Sequence, residues 1–239
     1  MNRIAVFALA VLMGGAANVH AESEDDDIPA TPVQEYIQVW LGTTDTDESW
    51  RLEDSNGAAV KGDFSELPLG GGVAQRLRGQ RTQYGYEGGG LISWKSDNVY
   101  FAGNSNGLRV AVDTELFMME MFMGGVIAVR PAQWIRLYAA AGPSIAWGYL
   151  DGDGSDDDDT DETSLIVNAP NGFIVIDGND SANDFSFSLY GRIGLEFEFN
   201  NGFLLGVSAR YAEHEFDFDE RGELNLDEVQ WFLTLGGRI

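Results

Sequence analysis

The chain has 239 residues, with 14 Lys and Arg against 39 Asp and Glu, so its formal net charge is −25. Because phosphate binding requires clustered basic residues, this charge argues against nucleic acid as a partner and favours cations or cationic partners. The absence of Cys excludes disulfides, thiolate zinc sites and thiol catalysis. A hydrophobic content of 44 % and an aromatic content of 12 % exclude a chain that is disordered throughout.

The N-terminal segment has the pattern of a secretory signal peptide. Arg3 gives one positive charge, an apolar run continues to Met13, and small residues lead to Ala21. This order predicts export and cleavage after Ala21. An uncleaved membrane anchor is the alternative, but the apolar run is shorter than the roughly 20 residues that a helical span requires. We therefore divide the chain into a signal peptide (1–21), an acidic flexible lead-in (22–34) and one folded domain (35–239).

The folded domain alternates apolar and polar residues with a period of two, which predicts β-strands. The eight predicted strands are Glu35–Thr44, Leu67–Arg78, Gln83–Ser96, Glu115–Arg130, Trp134–Leu150, Asp184–Phe199, Phe203–Ala212 and Glu228–Ile239. Their connections are alternately short (Gly79–Thr82, Pro131–Gln133, Asn200–Gly202) and long (Asp45–Glu66, Asp97–Gly107, Asp151–Asn183, Asp217–Asp227). This alternation predicts an all-β, eight-stranded antiparallel up-and-down barrel, with one rim of tight turns and one rim of long loops.

The polar face of the predicted strands carries Arg and Glu among Gly and Ser, whereas Lys occurs only twice in the chain, at Lys61 and Lys95. A solvated sheet face would favour Lys, while planar Arg side chains paired with carboxylates suit a narrow lumen. The predicted lumen charge network is Arg76, Arg78, Glu87, Glu120, Arg130, Arg136, Arg192, Glu196, Arg210 and Arg238. Because eight strands enclose a space that side chains nearly fill, we expect these groups to pair across a plugged interior rather than to line a solute path.

Aromatic residues of the apolar face cluster near the strand ends. Those near the short turns are Tyr84, Tyr86, Phe197, Phe199 and Phe203, and those near the long loops are Trp94, Trp147, Tyr149, Phe185, Phe187, Tyr211 and Trp231. Two aromatic girdles around an apolar band are typical of barrels that face lipid. The faces therefore predict a transmembrane barrel. A soluble periplasmic barrel that binds an apolar ligand, with the two faces inverted, is an alternative.

The region Glu35–Ile239 resembles the small eight-stranded outer-membrane barrels of Gram-negative bacteria, of the OmpA, OmpX and OmpW type. Its last strand fits the alternating C-terminal signal of that family at Trp231, Leu233 and Leu235, with Ile239 in place of the usual terminal aromatic residue. The resemblance implies an outer-membrane location, periplasmic short turns and extracellular long loops. It also implies contact with membrane lipid and lipopolysaccharide, insertion by the outer-membrane assembly machinery, and a monomer.

The longest loop contains an acidic run, Asp151–Glu162, with eight carboxylates in 12 residues. Its spacing resembles a calcium-binding loop, which ends in a bidentate Glu at position 12, although Asp156 stands at position 6 where such loops have Gly. The candidate ligands are Asp151, Asp153, Ser155, Asp157, Asp159 and Glu162. The alternative is a solvated acidic loop without a metal. We predict no other cofactor.

The same loop contains the segment Leu165–Ile176, which predicts a hairpin around Asn171-Gly172. Each half is too short for the roughly 9–11 residues of a membrane-spanning strand, so we expect the hairpin to prolong the fifth and sixth strands above the membrane. The alternative is a barrel of ten strands.

His214 is the one His that remains after cleavage at Ala21. Outer-membrane lipid A deacylases use a His–Ser pair, but Glu215-Phe216 follows here where they have Ser two residues after the His. Outer-membrane proteases use Asp and His, and Asp217 lies near, but they are ten-stranded. The sequence contains no Gly-x-Ser-x-Gly elbow. We therefore expect no enzymatic activity, with a His214-dependent outer-membrane enzyme as an alternative.

The function predicted from these features is structural or a surface interaction in the cell outer membrane. It includes envelope integrity, adhesion, and contacts bridged by divalent cations through the acidic extracellular loops. A narrow channel for small solutes is a further alternative.

Overall fold

The computed structural model describes residues 32–46, 50–53, 59–63, 66–102, 109–152, 164–169, 172–177, 181–219 and 222–239. Its strands are β1 (Val33–Asp45), β2 (Trp50–Glu53), β3 (Ala59–Asp63), β4 (Glu66–Gly79), β5 (Thr82–Ala102), β6 (Arg109–Ala132), β7 (Ile135–Gly152), β8 (Ser164–Ala169), β9 (Gly172–Asp177), β10 (Ala182–Glu198), β11 (Phe203–Ala212), β12 (His214–Asp217), β13 (Glu223–Leu226) and β14 (Gln230–Arg238). The predicted signal peptide and most of the lead-in lie outside the described residues.

Eight long strands form a closed ring in which every neighbour is antiparallel. The hydrogen-bonded order is β4, β1, β14, β11, β10, β7, β6 and β5, and β5 pairs back to β4. The first and last strands of the chain pair directly, with Tyr36 opposite Arg238 and Thr43 opposite Trp231. This closure leaves no open edge, as a sheet in lipid requires. The prediction of an eight-stranded antiparallel barrel is therefore confirmed.

The hairpin predicted around Asn171-Gly172 is present as β8 and β9, which pair from Ser164–Asp177 to Ala169–Gly172. These strands form a two-stranded sheet of their own and do not join the ladder of the ring. The ten-stranded alternative is therefore wrong.

Tight turns connect the strands at one end of the barrel, which we call the short-turn rim. The β4–β5 and β10–β11 turns each contain a Gly with positive φ, Gly79 at 123° and Gly202 at 81°. These values favour glycine because it has no Cβ to clash. The N–H of Gly202 donates to the carbonyl of Phe199 at 2.9 Å and closes its turn.

Four short strands extend the wall at the opposite end, which we call the long-loop rim. Strands β12, β13, β2 and β3 are hydrogen-bonded in that order, and β3 continues onto β5. Side chains of β10 bind the free edge of β12, because the N–H groups of Glu215 and Asp217 donate to Ser186 Oγ (3.1 Å) and Asp184 Oδ2 (2.9 Å). The sequence analysis assigned this region to loops.

The outer face of the ring is apolar. Phe187 and Leu189 are 78 % and 75 % exposed, and Val207 on the next strand is 54 % exposed. The interior holds the buried charged side chains together with buried polar, aromatic and aliphatic ones, and the predicted orientation of the faces is confirmed for seven of the eight strands, with β4 as the exception. Among the described residues, no helix has the length and apolarity of a membrane span.

Candidate functional site

Buried ion pairs, some between adjacent strands and some across the barrel, occupy the centre of the lumen. Arg136 of β7 contacts Glu196 of β10, with 2.9 Å between Nε and Oε2, and Arg192 of β10 contacts Glu87 of β5. All four side chains are fully buried. Such pairs hold their charges in a dry interior only when further hydrogen bonds satisfy the remaining polar atoms.

Glu87 is the most highly connected of these carboxylates. In addition to Arg192, it accepts hydrogen bonds from Gln75 Nε2 at 2.8 Å and from the Tyr190 hydroxyl at 2.9 Å. Gln75 also accepts from Arg136 at 2.5 Å, so the two ion pairs belong to one network. This connectivity joins strands β4, β5, β7 and β10 across the lumen.

Aromatic rings pack against the guanidinium planes and complete the plug. Arg136 lies 4.2 Å from the centroid of Tyr36, and Arg192 lies 4.3 Å from Trp40 and 4.5 Å from Tyr138. These cation–π contacts favour the charged Arg side chains in a desolvated site. Gly194 provides the room for Tyr138, because a Cβ there would lie 2.3 Å from the Tyr138 hydroxyl oxygen.

A second buried cluster lies closer to the long-loop rim. Arg210 of β11 pairs with Glu120 of β6 and donates to Gln230 Oε1 at 2.6 Å. His214 Nε2 lies 3.3 Å from Glu120 Oε1 and 3.4 Å from Ser144 Oγ. The structure therefore brings together a His, a Ser and a Glu that are distant in sequence.

This cluster does not have the geometry of a catalytic triad. A triad requires the hydroxyl and the carboxylate to bind opposite ring nitrogens, so that one orients the ring and the other is deprotonated. Here Ser144 and Glu120 both approach Nε2, and Nδ1 of His214 has no hydrogen-bond partner among the described residues. His214 and Ser144 are also buried inside the barrel, where His214 packs against Phe216 at 6.2 Å between ring centroids.

The lumen opens at the short-turn rim into a concavity of about 700 Å³, which we call the short-turn mouth. Arg130 and Arg238 both contact the Glu198 carboxylate there, at 2.5 and 3.0 Å. Arg130 also donates to the backbone carbonyl of Gln133 at 2.7 Å. Arg81, at the tip of the β4–β5 turn, lines the same concavity.

The fold and the lumen can now be compared with known proteins. No family model matches the sequence, and no curated protein matches it. Among solved structures, the chain is similar to the outer membrane protein OprG from Pseudomonas aeruginosa, with a TM-score of 0.53 and 11 % identity over 88 % of this chain and 97 % of OprG. It is also similar to Ail, the attachment invasion locus protein of Yersinia pestis (TM-score 0.46, 13 % identity, 87 % and 98 % covered). Neisserial surface protein A is a third such structure (TM-score 0.43, 12 % identity, 86 % and 96 % covered).

This chain has the fold of a small eight-stranded transmembrane β-barrel. The likeness to OprG shows the fold, and the closed ring with an apolar outer face is what a bilayer requires of a spanning sheet. Lipid around the apolar outer face follows from this architecture.

The lumen charge network predicted for this barrel contains two residues that the structure places elsewhere. Arg76 and Arg78 of β4 point outward, and Arg76 Nε lies 3.4 Å from Glu35 Oε1 on the outer surface of β1. The inward side chains beside them are Gln75 and Leu77. Assigning them to the lumen was wrong, because the apolar residues of β4 face the interior, while its charged residues reach the headgroup level at the short-turn rim.

The other eight residues of the predicted network form three kinds of site. The fully buried pairs are Arg136–Glu196, Arg192–Glu87 and Arg210–Glu120. Arg130 lies at the short-turn mouth, and Arg238 lies at its edge with 43 % of its side chain exposed. The sequence analysis missed the lumen partners Gln38, Gln75, Tyr138 and Tyr190, although each lies on the inward face of its strand.

The proposed calcium loop lies almost entirely outside the described residues. Asp151 is the penultimate residue of β7 and accepts a hydrogen bond from the Tyr149 hydroxyl at 3.4 Å. Asp153, Ser155, Asp157, Asp159 and Glu162 are not among the described residues. Within the part of the chain that the structure describes, no three His, Asp or Glu side chains are grouped so that they could hold a metal ion.

Proposed function

We propose that this outer-membrane barrel is closed to solutes and acts through its surface, by holding divalent cations between its acidic long-loop rim and anionic lipopolysaccharide. The observation that carries this proposal is the buried plug of Arg–Glu pairs in the lumen. Its Arg and Glu side chains pair with one another and are fully buried, so they do not line an open path for a solute.

Hydrogen bonds and ion pairs connect the buried lumen residues to one another. Gln38 donates to Glu196 at 2.8 Å, Glu196 pairs with Arg136, and Arg136 reaches Glu87 through Gln75. Opening a path through this network would separate several desolvated charges at once. Breaking even one buried pair costs about 3–5 kcal/mol when a partner is lost, so spontaneous opening is strongly disfavoured.

Many of the outward side chains beyond the membrane band are acidic. Exposed carboxylates occupy the long-loop rim at Glu213, Glu215, Asp217, Asp219, Glu223, Asp227 and Glu228. Exposed Tyr211 lies two residues before Glu213, and exposed Trp231 lies three residues after Glu228. Aromatic residues of this kind lie at the headgroup level. The carboxylates therefore lie next to the anionic outer leaflet. Divalent cations, which prefer oxygen ligands, bind both negative surfaces there and reduce the repulsion between them.

Two measurements test this proposal. In planar bilayers, we expect the protein to give no stable openings of reproducible size, and such openings would contradict a closed lumen. In lipopolysaccharide-containing bilayers, we expect Ca²⁺ to raise the thermal unfolding temperature and chelation to reverse the effect.

Matched variants test whether the Ca²⁺ response depends on the carboxylates of the long-loop rim. Neutralising three adjacent rim carboxylates (Glu213→Gln, Glu215→Gln, Asp217→Asn) should remove most of the Ca²⁺ response. Neutralising Glu35 at the short-turn rim should leave the response unchanged. A Ca²⁺ response that is equal in the rim variant and the parent chain would show that these carboxylates do not bind the cation.

We further propose that His214 is structural and not catalytic. The support for this is its burial and the approach of both Ser144 and Glu120 to the same ring nitrogen. Replacing His214 with Ala should leave lipid and peptide cleavage by purified protein at the background of the parent chain. Cleavage that depends on both His214 and Ser144 would contradict this assignment.

A further inference from the structure

Positive charge is concentrated at the short-turn rim of a chain whose net charge is −25. Five arginines lie there: Arg76, Arg78, Arg81, Arg130 and Arg238. The described carboxylates that contact any of them are Glu35 and Glu198. The rim therefore carries an excess of positive charge that the rest of the acidic chain does not share.

The short-turn mouth gathers the inner part of this charge around one concavity. Arg81, Arg130 and Arg238 line it together with Glu198, so its three cations face a single carboxylate. Arg81 is exposed, and it makes no ion pair within the described part of the chain. With a volume of about 700 Å³, the concavity is large enough to admit several residues of an extended peptide.

An acidic segment of the same chain begins only a few residues from this mouth. The sequence Glu22-Ser-Glu-Asp-Asp-Asp27 contains five carboxylates. Four residues lie between Asp27 and Pro32, and the five extended steps from one to the other reach about 17 Å. Pro32 is fixed at the short-turn rim, because its carbonyl accepts a hydrogen bond from the Gly79 N–H at 3.4 Å.

The first residues of β1 already contact the mouth. Gln34 Oε1 accepts a hydrogen bond from Arg130 at 3.3 Å, and Gln34 itself lines the concavity. Arg238 is adjacent in the sheet, since the N–H of Ile239 donates to the Glu35 carbonyl at 2.9 Å. The point where the acidic segment joins the barrel therefore lies beside all three of the mouth arginines.

We propose that the short-turn mouth binds the chain's own acidic segment, Glu22–Asp27, after signal-peptide cleavage. The ligand class is a run of carboxylates, and the recognising groups are Arg81, Arg130 and Arg238. Guanidinium groups suit this role because they bind carboxylates with two parallel hydrogen bonds. A short tether gives the segment an effective concentration of the order of millimolar, so individually weak contacts are sufficient.

The absence of Cys makes this proposal directly measurable. Ser23→Cys places one label within the acidic segment without removing a carboxylate. With a nitroxide on this Cys, in mature protein purified from outer membranes into nanodiscs, we expect paramagnetic broadening of the amide signals of Arg81, Gln133 and Asn200. The same label should leave signals of the long-loop rim, such as Glu215 and Glu223, unaffected.

Two changes should weaken the broadening if charge holds the segment in place, and the residual broadening should be that of a flexible tether of nine residues. One is Arg81→Gln, which alters an exposed side chain at a turn, and the other is neutralisation of Glu24, Asp25 and Asp26 to their amides, which leaves the barrel untouched. Raising the salt concentration to 1 M should act in the same direction, because the Debye length falls to about 3 Å.

Two results would overturn the proposal. One is the absence of broadening at the short-turn rim, or broadening whose strength is unchanged in both variants and at high salt. The other is the absence of broadening in the intact chain while a chain without residues 22–27 binds the free hexapeptide, because the mouth would then serve an anionic partner in place of its own segment. Conductance and Ca²⁺ responses are separate readouts, so neither result bears on the function proposed above.

Discussion

The membrane band and the long-loop rim of this barrel place apolar and polar side chains on opposite faces, and two consecutive strands, β11 and β12, show the difference. In β11 the outward residues are apolar, as at Val207 and Tyr211, and Arg210 points inward. In β12 the outward residues are Glu215 and Asp217, and Phe216 points inward. The alternation keeps its phase across Ala212–His214, and only the chemistry of the two faces is exchanged.

The surroundings of the outer face explain this exchange. In the band, lipid covers the outside, so apolar side chains lie there and the polar interior must satisfy itself through ion pairs. At the rim, water covers the outside, so carboxylates are solvated and the interior holds an apolar cluster of Trp50, Phe216, Phe218, Leu224 and Leu226. Phe216 and Phe218 stack at 5.8 Å, as rings in a soluble core do. The position of the exchange, between Tyr211 and Glu213, marks the membrane boundary on this strand.

The largest effect should come from breaking the plug of the band. Glu87→Gln removes the charge that Arg192 requires and leaves a buried, uncompensated guanidinium, so we expect a loss of about 3–5 kcal/mol in the free energy of unfolding. Urea unfolding in lipid vesicles measures this loss. In the matched control, Glu87→Met combined with Arg192→Met, both charges are absent and most of the stability should return. A double variant as unstable as the single one would show that the pair is needed for more than mutual charge compensation.

A positive charge placed on the outer face should reduce stability much more in the membrane band than at the long-loop rim. Val207→Arg puts a cation against lipid and should cost about 2–4 kcal/mol, because the penalty is greatest near the bilayer midplane. Glu215→Arg, eight residues later on the outward face of β12, should change stability by about 0.5 kcal/mol or less, since water covers that position. Both variants are compared by the same unfolding assay. Equal costs at the two positions would mean that the boundary does not lie between Tyr211 and Glu213.

His214 tests the junction between the two regions. His214→Phe keeps a ring against Phe216 but removes the Nε2 group beside the buried Glu120 carboxylate. Loss of a partner for a buried polar group costs about 1–3 kcal/mol, so we expect destabilisation in that range. His214→Gln, which retains a donor, should lose less. If the Phe variant is as stable as the parent chain, Arg210 alone satisfies Glu120.

The sequence analysis predicted the band well, because a closed barrel in lipid leaves a strict period-two pattern. It placed all eight long strands and oriented seven of them, and it identified both partners of the Arg136–Glu196 and Arg192–Glu87 pairs as lumen residues. Which Arg pairs with which Glu depends on strand register and shear, and alternation carries no information about either. Gln75 was missed for a related reason, because neutral amides give no charge signal.

The wrong or missing assignments concern β4 and the short strands of the long-loop rim. On β4, the assignment of Arg76 and Arg78 to the lumen placed Leu69, Val73 and Leu77 on the lipid face, but all three are buried inside the barrel. The run Gly70–Gly72 lacks side chains that would show which face is apolar. Strands β12 and β13 of the long-loop rim were missed because acidic segments with alternating Phe or Leu resemble polar loops when the expected outward residue is apolar.

The smallest effect should come from the arginine that the sequence analysis misplaced. Arg76 and Glu35 form an ion pair with 42 % and 51 % of their side chains exposed, so solvent and salt weaken their attraction. Arg76→Ala should therefore cost at most about 1 kcal/mol, whereas a lumen Arg of the kind first predicted would cost several times more. The measurement is the same urea unfolding, repeated at high salt, where the difference from the parent chain should shrink. A salt-independent loss as large as that of Glu87→Gln would mean that solvent does not reach this part of β4. The Arg76–Glu35 pair would then be desolvated in the same way as the ion pairs of the lumen.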